Sequence, residues 1–198
     1  YGHFMIQLLW SGEYQIFVLL IIALVLSLTF HELGHAAVAK GFGDDTAERA
    51  GRMTLNPAAH IDPVGLLMVV ILGFGFVKPV PTNPVNFTSP RADLWVAAAG
   101  PTMNLLLALI CWNFYLLAFK AGWTTPPVEI FFTLLAQINL LLMVFNLLPI
   151  GPLDGHYITP HLLPKSVAKR YRYYNARYGA MVLLALVVGS LLGLPLLR

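Results

Sequence analysis

The residues His31-Glu32-Leu33-Gly34-His35 follow an uncharged run, residues 16–30, whose only hydroxyls are Ser27 and Thr29. On an α-helix, residues four apart share a face, so the two imidazoles can offer nitrogens to one metal ion with Glu32 beside them as general base. A metal held there lowers the pKa of a bound water, and the glutamate takes its proton as the water attacks a carbonyl. Ionisable side chains are costly in so apolar a setting, which makes function the default explanation. The competing explanation is a chance match, with the histidines capping carbonyls at a helix end.

A metal centre needs a further ligand. The candidates in or near apolar surroundings are Asp154, His156, His161, His60 and Asp62. Asp154 is the best placed, because it ends Asn146-Leu-Leu-Pro149-Ile-Gly-Pro152-Leu-Asp154-Gly155, where two prolines break a helix while the chain is still apolar. Unwound backbone at membrane depth is tolerated only where it is buried in protein or lines a wet cavity. The alternative for Asp154 is the N-cap of a following short helix.

The elements that must carry these groups are membrane elements. Hydrophobic residues make up 58% of the 198 positions and charged residues 11%, which excludes an ordinary soluble domain and gives no basis for nucleic-acid binding. The expected fold is an all-α polytopic membrane protein, one domain over residues 1–198. Four long transmembrane helices are expected near residues 14–40, 89–119, 128–148 and 178–196. Ser89 and Pro90 read as N-cap and first helical residue of the second. A fifth apolar stretch, 64–77, is short and glycine-bearing, and suits a re-entrant or otherwise membrane-embedded segment. After the first helix comes a small irregular segment, within which residues 51–55 suggest a short β-strand. Four prolines between residues 78 and 90 rule out regular helix there. The N-terminal segment lacks the basic start of a signal peptide and runs directly into the ligand pair. Cys111, the single cysteine, reads as a small buried hydrophobe.

Together, His31-Glu32-Leu-Gly-His35 and Asn146-x-x-Pro149 with Leu153-Asp154-Gly155 resemble the site-2 protease family of intramembrane zinc metalloproteases. Ala99-Gly100-Pro101-Thr-Met-Asn104, Asn56-Pro57-Ala-Ala-His60-Ile-Asp62-Pro63 and Lys78-Pro79-Val-Pro81-Thr-Asn83-Pro84 extend the likeness over most of the chain, in the compact branch without PDZ or CBS domains. The resemblance implies one Zn2+ per chain on His31, His35 and Asp154, with Glu32 as general base and water as the fourth ligand. It also implies a place for Asn146, and for Asn104, near the substrate peptide or the oxyanion. For Asn104, interhelical hydrogen bonding is an equal alternative. His156 departs from the family, which usually has a small residue there, and reads as a hydrogen-bond partner behind the ligands or, in preference, as a solvated loop histidine.

Geometry constrains the topology independently. The histidines lie near the end of the first helix and Asp154 just past the end of the third, so those two helices must run parallel to share one ion. Segment 64–77 must then enter and leave by one face. This puts Lys40, Arg49, Arg52, Lys78 and Arg91 on the same side as the basic residues 165–177, which is cytoplasmic by the positive-inside rule. The expected activity is hydrolysis of a peptide bond in or near the transmembrane segment of a membrane-protein substrate, in the plasma membrane of a prokaryote. The alternative is a metal-binding membrane protein without protease activity, a transporter or scaffold. Glu32 separates the two, since transport needs no general base beside the ligands.

Overall fold

The computed structural model describes residues 4–72 and 77–192, and among them regular backbone is helical throughout, with no strand. Helix α1 (Phe4–Trp10) leads into α2 (Tyr14–Gly41), followed by the short α3 (Thr46–Arg49) and α4 (Pro63–Leu72). An irregular segment then reaches α5 (Ala92–Lys120), which is joined by a short turn to α6 (Pro126–Asn146). The four-residue α7 (Gly155–Ile158) runs on through the turn Thr159–His161 to α8 (Lys165–Leu191).

Among the described residues, three helices are long and apolar enough to cross a bilayer: α2, α5 and α6, with mean hydropathies of 2.4, 1.8 and 2.1 over their most apolar stretches. Their packing inverts that of a soluble protein. Ser27, Thr29, Asn104 and Asn139 are buried, while Leu109, Ile110, Leu117, Leu141 and Val144 are exposed. Between the helices lie small side chains, Ala23, Ala36, Ala99, Ala108, Cys111 and Ala136, which let the backbones approach closely. A Cβ on Gly34 would stand 3.0 Å from the carbonyl oxygen of Ala99, so α2 and α5 touch through this glycine. Cys111 sits in a cluster with Ala23, Leu135 and Ala136, as a small hydrophobe would.

Direction follows from which residues meet. Ala23 clusters with Leu135 and Ala136, Ser27 bonds Asn139, and His31 faces Asp154, so positions rise together on α2 and α6 and the two run parallel. Helix α5 runs the other way, because Cys111 meets Ala23, Asn104 meets His31 and Val96 meets His35.

Several boundaries differ from expectation, each for a local reason. Residues 51–55 form turns and bends rather than a strand, with Gly51 at φ 68° and no neighbouring strand to pair with. Helix α5 starts at Ala92 rather than at Ser89, whose hydroxyl accepts from Arg91 N at 3.3 Å in a preceding turn. Helix α6 begins at Pro126, where a missing N–H costs nothing, and ends at Asn146. Helix α8 starts at Lys165, ahead of the expected 178, because a polar half rich in Lys, Arg and Tyr continues the apolar one. It is not among the helices that qualify as spans, and its expected end at 196 lies outside the described residues. The short α1 was not expected.

Within 64–77, the helical part is α4, ten residues or about 15 Å, half of a ~30 Å hydrocarbon core. Residues 73–76 lie outside the described residues. On either side the chain closes on itself, Lys78 N donating to His60 O at 3.0 Å. Residues 60 and 78, which flank the segment, therefore lie side by side.

Asp44, fully buried just past α2, anchors the irregular 83–88 region. Its carboxylate accepts from Thr46 N (3.2 Å), Thr46 Oγ1 (2.5 Å), Asn83 N (2.6 Å) and Asn86 Nδ2 (2.9 Å). Burial pushes this carboxyl up, but the four hydrogen bonds outweigh it and hold the pKa down at about 2. A carboxyl whose folded pKa is depressed contributes stability above its unfolded value, near 4, that is lost as pH falls toward 2. Asp44→Asn, which turns one acceptor into a donor facing donors, is expected to destabilise the protein by about 2–4 kcal/mol and to flatten thermal stability between pH 4 and 2. Thermal unfolding across that window checks both.

Candidate metal centre

His31, His35 and Asp154 come together where α2 ends and α6 has just ended. His31 Nε2 lies 3.2 Å from Asp154 Oδ2 and His35 Nε2 3.4 Å from Asp154 Oδ1, while the two Nε2 atoms are 3.1 Å apart. One ligand atom from each lies within 4.8 Å of the others, and both histidines are buried. The spacing of four puts both rings on one face of α2, as the sequence predicts.

Each ring is held from behind. His31 Nδ1 donates to Asn104 Oδ1 at 2.6 Å, and His35 Nδ1 to the Val96 carbonyl at 2.7 Å. With Nδ1 carrying the hydrogen, a neutral ring has only a lone pair at Nε2. Gly100 makes room for both rings, since a Cβ there would stand 2.4 Å from His35 Nε2 and 2.6 Å from His31 Nε2.

Asp154 is carried by the broken backbone after α6. Gly155 packs onto the end of that helix, where a Cβ would come within 2.3 Å of the carbonyl oxygens of both Leu147 and Leu148. The loop is clamped from α8: Asn175 Oδ1 accepts from Gly151 N at 2.8 Å, and Pro149 O accepts from Asn175 Nδ2 (3.1 Å) and Tyr171 OH (2.8 Å).

These residues fit a divalent cation. Asp154 Oδ2 is buried without a hydrogen-bond partner, and two lone pairs face it and each other at about 3 Å. Unprotonated, these groups repel one another. Two nitrogens and one carboxylate, with one position left open, match the donor set of catalytic zinc. Gly100→Ala is therefore expected to push both rings aside and weaken zinc affinity by at least about tenfold, measurable by chelator competition.

Glu32 is buried beside the cluster, and its Oε2 accepts from Val80 N at 2.9 Å, tying it to the irregular segment before α5. Asn146 is half-buried on the cavity wall, with Nδ2 donating to Leu142 O at 3.0 Å. Asn104 takes the place that its interhelical alternative describes. It is fully buried behind His31, with both amide atoms engaged, rather than facing a substrate. The other candidate ligands are occupied outside the cluster: His60 Nε2 bonds Thr54 O, Asp62 caps α4 through Val64 N and Gly65 N, and His161 faces Asp93. His156 is not a solvated loop residue, since its ring lies against Tyr157 and Tyr171 with Nδ1 buried.

A cavity of about 2030 Å3 opens from the cluster. Past His31, Glu32, His35 and Asp154 it continues between apolar walls from α2, α6 and α8, with Leu24, Phe145 and Leu184 among them. Sequence inspection missed Asn139, Asp44 and Asn175. For Asn139 the signal was present, an uncharged amide in the apolar run of the third helix.

The chain matches the pattern of peptidase family M50 over residues 19–125 and 119–187. Similar curated proteins share the name "Putative zinc metalloprotease". YwhC of Bacillus subtilis is 42% identical over 87% of this chain and 81% of its own length. Rip2 of Mycolicibacterium smegmatis is 32% identical over 87% of this chain and 68% of its own. A third, from Methanocaldococcus jannaschii, is 31% identical over 72% of this chain and 70% of its own. No solved structure matches.

Proposed function

The chain belongs to peptidase family M50, the site-2 protease family of zinc metalloproteases, and on that premise we propose that it hydrolyses peptide bonds in or near transmembrane segments of membrane proteins. The observation that carries this reading is the cavity, whose polar end holds the His31–His35–Asp154 cluster with Glu32 and whose walls are apolar. A soluble peptide has no use for such walls, whereas an apolar segment leaving the bilayer does.

His31, His35 and Asp154 would hold the zinc, which when bound would supply a water of lowered pKa and polarise the scissile carbonyl. Glu32 takes the proton of the attacking water as the C–O bond forms and delivers it to the leaving amide nitrogen as the C–N bond breaks. Val80 N holds Glu32 Oε2 in place during this transfer. Asn146 has a second Nδ2 hydrogen for the developing oxyanion. A substrate helix must unwind first, because its carbonyls are otherwise bonded within the helix. The irregular segment 77–83 beside Glu32 offers backbone groups to the extended strand that results.

The re-entrant reading of 64–77, with the apolar second half of α8 as a further crossing, keeps the basic residues at the active-site end. Lys40 closes α2, Arg91 precedes α5 and Arg172 lies 3.8 Å from Asp93 at the start of α5, whereas Lys120 ends α5 on the opposite side. By the positive-inside rule that end is cytoplasmic. The bacterial and archaeal relatives support a prokaryotic plasma membrane.

The test is to reconstitute the zinc-loaded protein with single-pass substrates and to sequence the product ends by mass spectrometry. Cuts within or at the edge of the apolar stretch are expected. Cuts confined to distant soluble flanks, or hydrolysis of lipid esters alone, would overturn the reading.

A further inference from the structure

Behind His31 runs a buried polar chain that the hydrolytic mechanism does not use. Ser27 Oγ donates to Ala23 O at 2.7 Å, so its lone pairs face Asn139 Nδ2 at 2.8 Å. The other Asn139 Nδ2 hydrogen goes to Leu135 O, also at 2.8 Å. Asn139 Oδ1 then accepts from Asn104 Nδ2 at 2.8 Å, and Asn104 Nδ2 has Ser27 O as its second acceptor at 3.3 Å. Only Asn104 Oδ1 is left for His31 Nδ1. Ser27, Asn104 and Asn139 are all fully buried, on α2, α5 and α6.

We propose that Ser27 and Asn139, acting through Asn104, are positioning residues that fix His31 as the Nδ1–H tautomer and so hold its Nε2 lone pair toward the metal. The direction of the chain is set at its far end. The carbonyls of Ala23 and Leu135 can only accept, so the hydroxyl and the Asn139 amide each have one permitted orientation. Turning the Asn139 amide over would set Oδ1 against the Leu135 carbonyl, acceptor to acceptor, at a fully buried position. That constraint passes to Asn104 and then to His31, whose Nδ1 must carry the hydrogen. His35 reaches the same state by a separate route, the Val96 carbonyl. The polarity of three helices is thus read out at one ring nitrogen, which plain interhelical adhesion would not require.

The proposal rests on His31, His35 and Asp154 being the ligand set, and its test separates the two. Metal-free protein in nanodiscs, labelled with 15N-histidine and recorded over a pH series that reaches the neutral rings, reports each ring's tautomer, with His35 as internal control. Zinc affinity is measured in parallel by chelator competition. Asn139→Leu is expected to give mixed tautomers at His31 with His35 unchanged, and zinc affinity lower by about 10- to 100-fold. Asn139→Asp, as the neutral acid expected at so buried a position, keeps a carbonyl acceptor for Asn104 Nδ2 and an O–H to donate to Leu135 O, and should restore the single tautomer and most of the affinity even where stability is reduced. Ser27→Ala, the milder variant, covers the case in which Asn139→Leu does not fold, and should give a partial shift in the same direction. An unchanged His31 tautomer in Asn139→Leu or Ser27→Ala, or an Asn139→Asp variant no better than Asn139→Leu, would overturn the relay. Wild-type protein that binds no zinc would instead overturn the ligand set, and the tautomer measurement would still decide the relay.

Discussion

Glu32→Gln is expected to leave one zinc per chain and to slow cleavage by about 10²–10⁴-fold, the range for loss of a general base. The glutamine has nearly the same shape and keeps an oxygen for Val80 N, so the link at 2.9 Å between α2 and the irregular segment survives. What it loses is a site for a proton. The attacking water then has no acceptor, and the leaving nitrogen has no donor, while the three ligands are untouched. Metal analysis and single-turnover cleavage on the same preparation separate these outcomes. Zinc-replete mutant protein that cleaves at the wild-type rate would remove Glu32 from the chemistry, and mutant protein without zinc would assign it to the ligand set instead.

What could be read in the sequence was local chemistry and its geometric consequence. Spacing alone put His31 and His35 on one helix face, and their position relative to Asp154 required the helices carrying them to run parallel, as α2 and α6 do. Glu32 distinguished a hydrolase from a transporter before any fold was known. Hidden from the sequence were pairings between helices. Nothing in the spacing says that Asn139 meets Asn104 and Ser27, because those contacts depend on the rotation of three helices about their axes. Val96 acts through a carbonyl, which has no sequence signature at all. The start of α8 was obscured for another reason: an apolar run marks only part of a helix, and the Lys-, Arg- and Tyr-rich turns with which this one begins have no apolar signal. The suggested strand at 51–55 failed because a strand exists only with a partner.

Asp154→Ala should cost the protein its zinc. Structural zinc bound by protein side chains is worth roughly 10–16 kcal/mol, so losing one of three ligands removes about 3–5 kcal/mol, or about a thousandfold in affinity. The effect exceeds that expected for Gly100→Ala because the negative charge goes as well as the geometry. In wild type the carboxylate faces two imidazole lone pairs, and its Oδ2 has no other partner. Removing it leaves the Nδ1 contacts of both rings, to Asn104 and to the Val96 carbonyl, in place, so the variant is expected to fold and to retain the links from Asn175 to Gly151 N and Pro149 O. Zinc measured after dialysis against a chelator of graded strength, with thermal unfolding as the folding control, makes the comparison. A folded variant with undiminished zinc affinity would show that the ion is held without Asp154, and His156, two residues further on and lining the same cavity, would be the first residue to test in its place.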